Sequence, residues 1–374
     1  MFTPSGGGLA TLAYFEAFKR VFGDRIVLMH AKEYYKGKEP NVVLHPTSSL
    51  LKKMYYFLCG HVHRFYPYLN TYLLRNREKY SLCIINGGVY AGDSIEKIKK
   101  TGIPVWVIHH NFEREYHKDN KTKASYWGIS TYWVNKWERK SYINADVNLF
   151  LTDSDKIIFE KVYGNNSGNN YVLGCFLPSV KLIGNVDKPW GDVQQKKRLV
   201  ISGAMDFVQT SKGILMFYND ILKDTLDEEF AKYQLIITGR NPSNDIMDLQ
   251  KNANVEIIPN PEDIDDIISK GHIYVCPIHL GGGLKLRLMD GLKQGLPIIV
   301  HHNSIRGYEK FIGKNYFKIY QNKTDFLIAL TEIEHEYEHG NINPIQIRQD
   351  FLDVFSLDAG VKVVKSICEK EIIE

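Results

Sequence analysis

Residues 276–309 read CPIHLGGGLKLRLMDGLKQGLPIIVHHNSIRGYE, and the fold is decided by how this stretch is read. An apolar, β-branched run at 273–277 enters three consecutive glycines, Gly281, Gly282 and Gly283. Helical spacing is expected from Leu284, with Leu284, Leu288 and Leu292 facing the core, and Gly295 then Pro297 end it. Glycines at a strand end let the backbone approach a ligand. A helix start adds unpaired N–H groups and a partial positive charge. Lys285 and Arg287 fall in that first turn, where the helix dipole disfavours cations. An anionic ligand, best a phosphate, accounts for the placement. Asp290, seven residues after Gly283, shares its face and suits hydrogen bonds from ribose hydroxyls. His301, His302 and Asn303 close the next strand beside the same loop.

The same punctuation recurs along the chain. Short apolar runs at 81–86, 105–109, 147–152, 199–203, 235–239, 255–259 and 298–301 predict further strands. Helices are expected at 9–21, 50–75, 93–101, 132–144, 154–163, 211–223, 262–270, 284–294 and 346–371, with Ser154 and Ser211 as caps. Continuous apolar strands alternating with helices mean parallel sheets covered on both faces, so the fold class is α/β and doubly wound. Residues 178–197 break the rhythm with Pro, Gly and charge. The division read from this is an N-terminal domain over 1–180, a linker over 181–197, a second domain over 198–345 and a terminal helical segment over 346–374.

Composition narrows the function. The chain has 374 residues, with 47 Lys+Arg against 43 Asp+Glu and a formal charge of +4. The basic residues are scattered, which argues against nucleic acid as a partner. Cys59, Cys83, Cys175, Cys276 and Cys368 are far apart with no CxxC, so free thiols and no zinc site are expected. The opening MFTPSGGGLA has neither a basic nor an apolar leader region, and no apolar run reaches the roughly 18–20 residues of a membrane span. A cytoplasmic protein is expected. The basic tract at Lys52, Lys53 and 64–77 offers a peripheral contact with anionic lipid at the inner membrane face. No dinucleotide fingerprint, P-loop or G-x-S-x-G is present.

A second group of chemistry-bearing residues is VIHHNFEREY, residues 107–116. His109, His110 and Glu113 stand at the carboxyl end of a buried strand, where α/β ligand crevices form. Histidine acts there as acid, base or donor near neutral pH. Asp153-Ser154-Asp155 is a D-x-D, read as a strand-end turn rather than a metal clamp.

The pattern G-G-G-L-K-x-R-L-x-D-G-L-x-x-G-L-P-I-I over residues 281–299 resembles the donor element of type B glycosyltransferases, above all the retaining family 4 (glycosyl transferases group 1). LVISGAMDF at 199–207 with TSKG at 210–213, LIITGRN at 235–241, and WERKSYINADVNLFLTDSD at 137–155 are similar to other elements of that family in the same order. The resemblance implies two Rossmann-like domains facing a cleft, with the C-terminal helix crossing back to the first domain. It implies transfer of a hexose-type sugar from a nucleotide diphosphate donor to a glycan or lipid-linked acceptor in surface polysaccharide biosynthesis. Retention follows from the same resemblance; with helix N–H groups and lysine holding the diphosphate, no metal or other cofactor is expected. The donor-side residues it implies are Lys212, Arg240, Asn260, Gly281, Gly282, Gly283, Leu284, Lys285, Asp290 and Glu309. His109, then His110, and Glu113 are implied as catalytic, and the loop Ser5, Gly6, Gly7 and Gly8 as acceptor-side. Two features depart from the family: Gly282 stands where it often has its first acid, and Ala204 where it often has an arginine. An epimerase of the same fold, a non-catalytic nucleotide-sugar-binding subunit and a metal-dependent type A transferase are the competing readings.

Overall fold

Burying β-branched side chains on both faces of a strand requires a layer of helices above and below, and that demand organises both halves of the chain. The computed structural model describes residues 6–31, 41–44, 49–61, 66–115, 129–166, 168–183, 196–223 and 232–372. The chain divides into one unit of Met1–Pro178 with Ser356–Glu374 and another of Ser179–Phe355.

In the first unit β1 (Leu28–Ala31) and β2 (Asn41–Leu44) pair with each other. β3 (Cys83–Asn86), β4 (Val105–His109), β5 (Val147–Phe150) and β6 (Asn169–Val172) form a parallel sheet in that order. Every residue of β4 and β5 is buried. The helices Gly88–Lys99 and Ile129–Asn144 approach so closely that a Cβ on Gly92 would overlap the carbonyl of Trp137. The terminal helix Leu357–Glu371 packs with the helix Gly6–Phe22. Gly360 lies against the ring of Phe176, and Tyr14 meets that ring edge-on at 5.1 Å.

The second unit is a six-stranded parallel sheet in the order β12-β11-β10-β7-β8-β9. The strands are β7 (Lys197–Ala204), β8 (Tyr233–Arg240), β9 (Val255–Pro259), β10 (Ile273–Cys276), β11 (Ile298–His301) and β12 (Phe317–Tyr320). Strand order reverses between β7 and β10. Such a switch point opens a crevice beyond the carboxyl ends of the two strands.

Several expectations are corrected. The stretch 50–75 forms two helices, Leu50–Leu58 and Tyr66–Arg75. The stretch 346–371 also breaks, into Pro344–Phe355 and Leu357–Glu371, because the Ser356 side chain accepts the Ala359 N–H at 3.1 Å and starts a new helix. Thr152, not Ser154, caps Asp153–Tyr163, and Ser211 lies within Val208–Phe217. The strands β1, β2, β6 and β12, each of four residues, were not foreseen. Of the expected linker, residues 184–195 lie outside the described residues, and Lys197 opens β7.

The contact at Gly92 gives a stability test. Gly→Ala inside a helix ordinarily gains roughly 0.5–1 kcal/mol. Here the added methyl meets backbone, which cannot rotate away, so Gly92→Ala should instead cost about 2 kcal/mol or more. Urea unfolding followed by tryptophan fluorescence reads the sign directly.

Candidate functional site

The site is built at the switch point of the second unit, where β10 runs out into Pro277 and the glycines. Gly281 and Gly283 both have φ of +80°, a region that disfavours any side chain. A Cβ on Gly281 would also overlap the amide of Gln209, on the helix that follows β7. The Lys285 side chain folds back into this loop and is buried. Its ammonium donates to the carbonyls of Gly281 at 2.7 Å and Gly282 at 3.1 Å. Tyr308 Oη donates to the Lys285 carbonyl at 2.8 Å and fixes the turn from the other side. In a trans peptide the N–H points opposite to its C=O. Holding those two carbonyls inward therefore turns the Gly282 and Gly283 N–H groups away from Lys285. Among the described residues, no acceptor meets the N–H groups of Gly282, Gly283 or Leu284.

The helix begins later than its spacing suggests. It spans Leu288–Lys293, entered through a tight turn with bonds from Leu288 N to Lys285 O (3.1 Å) and Asp290 N to Arg287 O (2.9 Å). The loop clamp on Lys285 takes the residues that would otherwise have formed the first turn.

That delay sends Arg287 across to β7. Its guanidinium lies over Gly203, where φ is +153° and a Cβ would overlap it. Arg287 Nη1 is buried and has no hydrogen-bond partner among the described residues. An orphaned guanidinium nitrogen below the surface is costly unless an acceptor meets it. Sequence reasoning had noted the charge of Arg287 without placing it in the site. The available signal was Gly203 at the end of β7, a position that admits another residue's side chain. Lys212 is exposed on Val208–Phe217. Its charge acts on His279, whose imidazole is held below its usual value chiefly by burial.

The remaining donor-side residues separate. Asp290 pairs with Lys293 at 3.0 Å, and Lys293 also pairs with Asp265 at 2.7 Å. Burial raises the Asp290 carboxyl above the ordinary carboxylate range, with Lys293 opposing. Arg240 and Asn260 are exposed at the ends of β8 and β9. Asn260 Oδ1 accepts the Asn241 N–H at 3.0 Å. Glu309 is exposed and accepts the Gly307 N–H at 3.1 Å. His279, unremarked in sequence, sits with its ring 6.1 Å from His301, whose ring is 4.4 Å from that of His302. Burial, with the two neighbours, lowers His301 to about 4.

In the first unit, strand alternation separates the two histidines. His109 is 1% exposed, stacked on Phe150 (5.1 Å) and tilted against Phe159 (4.7 Å), and its Nε2–H donates to Asn148 Oδ1 at 2.8 Å. Burial holds it at about 4. It is a core residue. His110 follows the strand end, half-buried, donates from Nε2–H to Asn86 Oδ1 and lies 5.9 Å from the Tyr14 ring; burial lowers it too to about 4. Asn86 Nδ2 in turn donates to Thr11 Oγ1 at 2.8 Å. Gly6, Gly7 and Gly8 are the first turn of the helix Gly6–Phe22 rather than a loop before it; Ser5 lies outside the described residues. The Glu113 N–H donates at 2.6 Å to Glu138 Oε1, and Tyr163 Oη donates at 2.7 Å to Glu138 Oε2. Glu138 was seen in sequence only as part of a wider pattern. It anchors the segment that carries His110 and Glu113.

Residues 196–334 match the family described as Glycosyl transferases group 1. None of the curated proteins matches the chain. Among solved structures, sucrose-phosphate synthase from Thermosynechococcus elongatus is similar over 98% of this chain and 93% of its own, with TM-score 0.68 and 11% identity. Anabaena Alr3699/HepE in complex with UDP is similar over 99% and 98%, with TM-score 0.66 and 9% identity. The pneumococcal O-GlcNAc transferase GtfA, in complex with UDP and GlcNAc, is similar over 82% of this chain, which spans 60% of that protein, with TM-score 0.53 and 14% identity. At such identities the likeness carries the fold: two Rossmann-like units of the type B glycosyltransferase architecture.

Burial raises Glu138 from an ordinary 4.5 to about 7, with the Tyr163 and Glu113 bonds opposing. A carboxyl whose folded value is raised contributes its full stability below the unfolded value. That stability is lost as pH climbs from about 4.5 to about 7. Glu138→Gln should remove this pH dependence, a difference on the order of 3 kcal/mol across the window. Denaturant midpoints of both proteins measured from pH 4.5 to 7.5 test it, and parallel curves would refute the assignment.

Proposed function

We propose that the chain is a glycosyltransferase. It moves a hexose-type sugar from a nucleoside diphosphate donor, bound by the second unit, to a glycan or lipid-linked acceptor in surface polysaccharide assembly. One observation carries the reading. At the switch point, a buried guanidinium nitrogen without a partner among the described residues accompanies the unanswered amides of Gly282, Gly283 and Leu284. The match of residues 196–334 to the group 1 family covers that stretch.

As the bond from the anomeric carbon to the diphosphate breaks, negative charge gathers on the departing phosphate oxygens. Donors already aimed at those oxygens stabilise this charge without having to reorganise. In this reading Arg287 supplies the guanidinium that position 204 lacks. Lys212 supplies a second cation, and the three amides complete the cradle. Lys285 keeps the cradle open by holding its carbonyls, a supporting role rather than the direct contact expected from sequence. These groups carry the neutralising charge, so the reaction proposed requires no metal. The sequence resemblance assigns the ribose hydroxyls to Asp290. On the acceptor side His110, backed by Asn86 and Thr11, and Glu113 make the contacts. Retention at the anomeric carbon, as in family 4, rests on the sequence resemblance.

UDP is the first ligand to test, since HepE and GtfA are both solved with it. Arg287→Ala should weaken UDP binding by roughly ten- to a hundred-fold, the loss of a charge-assisted bond to a phosphate. Calorimetry measures it, and unchanged affinity in the variant would remove Arg287 from the site. Donor turnover with a panel of UDP-sugars then separates an enzyme from a binding subunit. Tight nucleotide binding with neither hydrolysis nor transfer would favour the subunit.

A further inference from the structure

The helix Leu50–Leu58 reads LLKKMYYFL and carries its apolar face outward. Leu50 is 71% exposed, Leu51 79%, Met54 54%, Tyr55 63% and Leu58 74%. Their spacing of i, i+1, i+4, i+5 and i+8 places all five on one side, an arc of roughly 140° at 3.6 residues per turn. On that wheel Lys52 and Lys53 each fall about 60° beyond an edge of the arc, one on either flank. The helix buries none of its own residues, and the chain is tied to the protein just past its end. Trp137 Nε1–H donates to the Gly60 carbonyl at 2.7 Å, Gly60 abuts the Trp133 ring, and His61 Nδ1 meets Asp93 Oδ1 at 2.7 Å. A helix anchored this way would ordinarily turn its leucines inward.

The local charge is equally one-sided. From Pro40 to Arg77 there is no Asp or Glu, while Lys52, Lys53, Arg64, Arg75 and Arg77 fall within the same stretch. The whole chain carries 43 acidic residues among 374, so such a gap is a marked local excess of positive charge.

We propose that this face binds the surface of a bilayer containing anionic phospholipid. The leucines and Met54 enter the acyl boundary, while Lys52 and Lys53 reach the phosphates on either side. No helix among the described residues is long and apolar enough to cross a membrane, so the contact is peripheral. A second copy of the chain is a poorer occupant. A two-fold pairing through the stripe would bring the flanking lysines of both copies together. The proposal goes beyond the transferase reading and needs no sugar chemistry to be tested.

The test is flotation of the full chain with vesicles of phosphatidylglycerol and phosphatidylcholine, and with phosphatidylcholine alone. The wild type should float with the anionic vesicles and only weakly with the neutral ones. Leu51→Ser with Leu58→Ser should weaken binding at least about ten-fold. Lys52→Glu with Lys53→Glu should erase the preference for anionic lipid. Both variants should keep the wild-type unfolding midpoint, because the helix buries none of the altered side chains. The idea is overturned if the wild type stays with the soluble fraction, or if the serine pair floats undiminished. It is overturned too if light scattering shows a dimer that the serine pair disperses.

Discussion

The ammonium of Lys285, closed on the carbonyls of Gly281 and Gly282, is the contact on which the rest of the second unit's site depends. A glycine run left to itself samples both signs of φ at little cost and presents no fixed face. One buried cation with two carbonyl acceptors removes that freedom. Because C=O and N–H oppose each other across a trans peptide, the amide direction follows from the carbonyl direction. The same clamp delays the helix to Leu288 and so frees Arg287 to lie over Gly203. A single side chain thus sets both the main-chain donors and the cation of the candidate phosphate cradle.

The first unit is organised by a different constraint, the two-residue period of a strand. Adjacent residues at the end of β4 face opposite sides, so His109 and His110 reach different partners, although burial lowers both to about 4. His109 stacks on Phe150 of β5 and meets Phe159 at a tilt, and its neutral form suits a site with no counter-charge. His110 reaches Asn86 at the neighbouring strand end. Glu138, from the helix Ile129–Asn144, then holds the backbone beyond them through the Glu113 N–H. This chain of contacts joins β3, β4 and two helices around one short segment.

Much of this was readable before any coordinates. The strands at 105–109, 255–259 and 298–301 were placed as they stand, because continuous apolar runs closed by polar or turn residues have few other interpretations. The glycine loop was recognised as a phosphate candidate from its place between strand and helix. What escaped were short elements such as β1, β2, β6 and β12, whose four residues carry too little pattern to stand out. The helix ends after Leu58 and at Ser356 were also missed, since apolar periodicity continues past both.

The sequence by itself determined the α/β class, the order of the main strands and the residues able to meet an anion, because periodicity and glycine placement are local properties. Only the tertiary structure decided which of those residues face the site. Lys285 turned inward, Arg287 crossed to a neighbouring strand and His109 sank into the core. The physical reason is that a side chain's role depends on which partner its hydrogen-bonding groups reach, and those partners come from strands and helices far away in the chain.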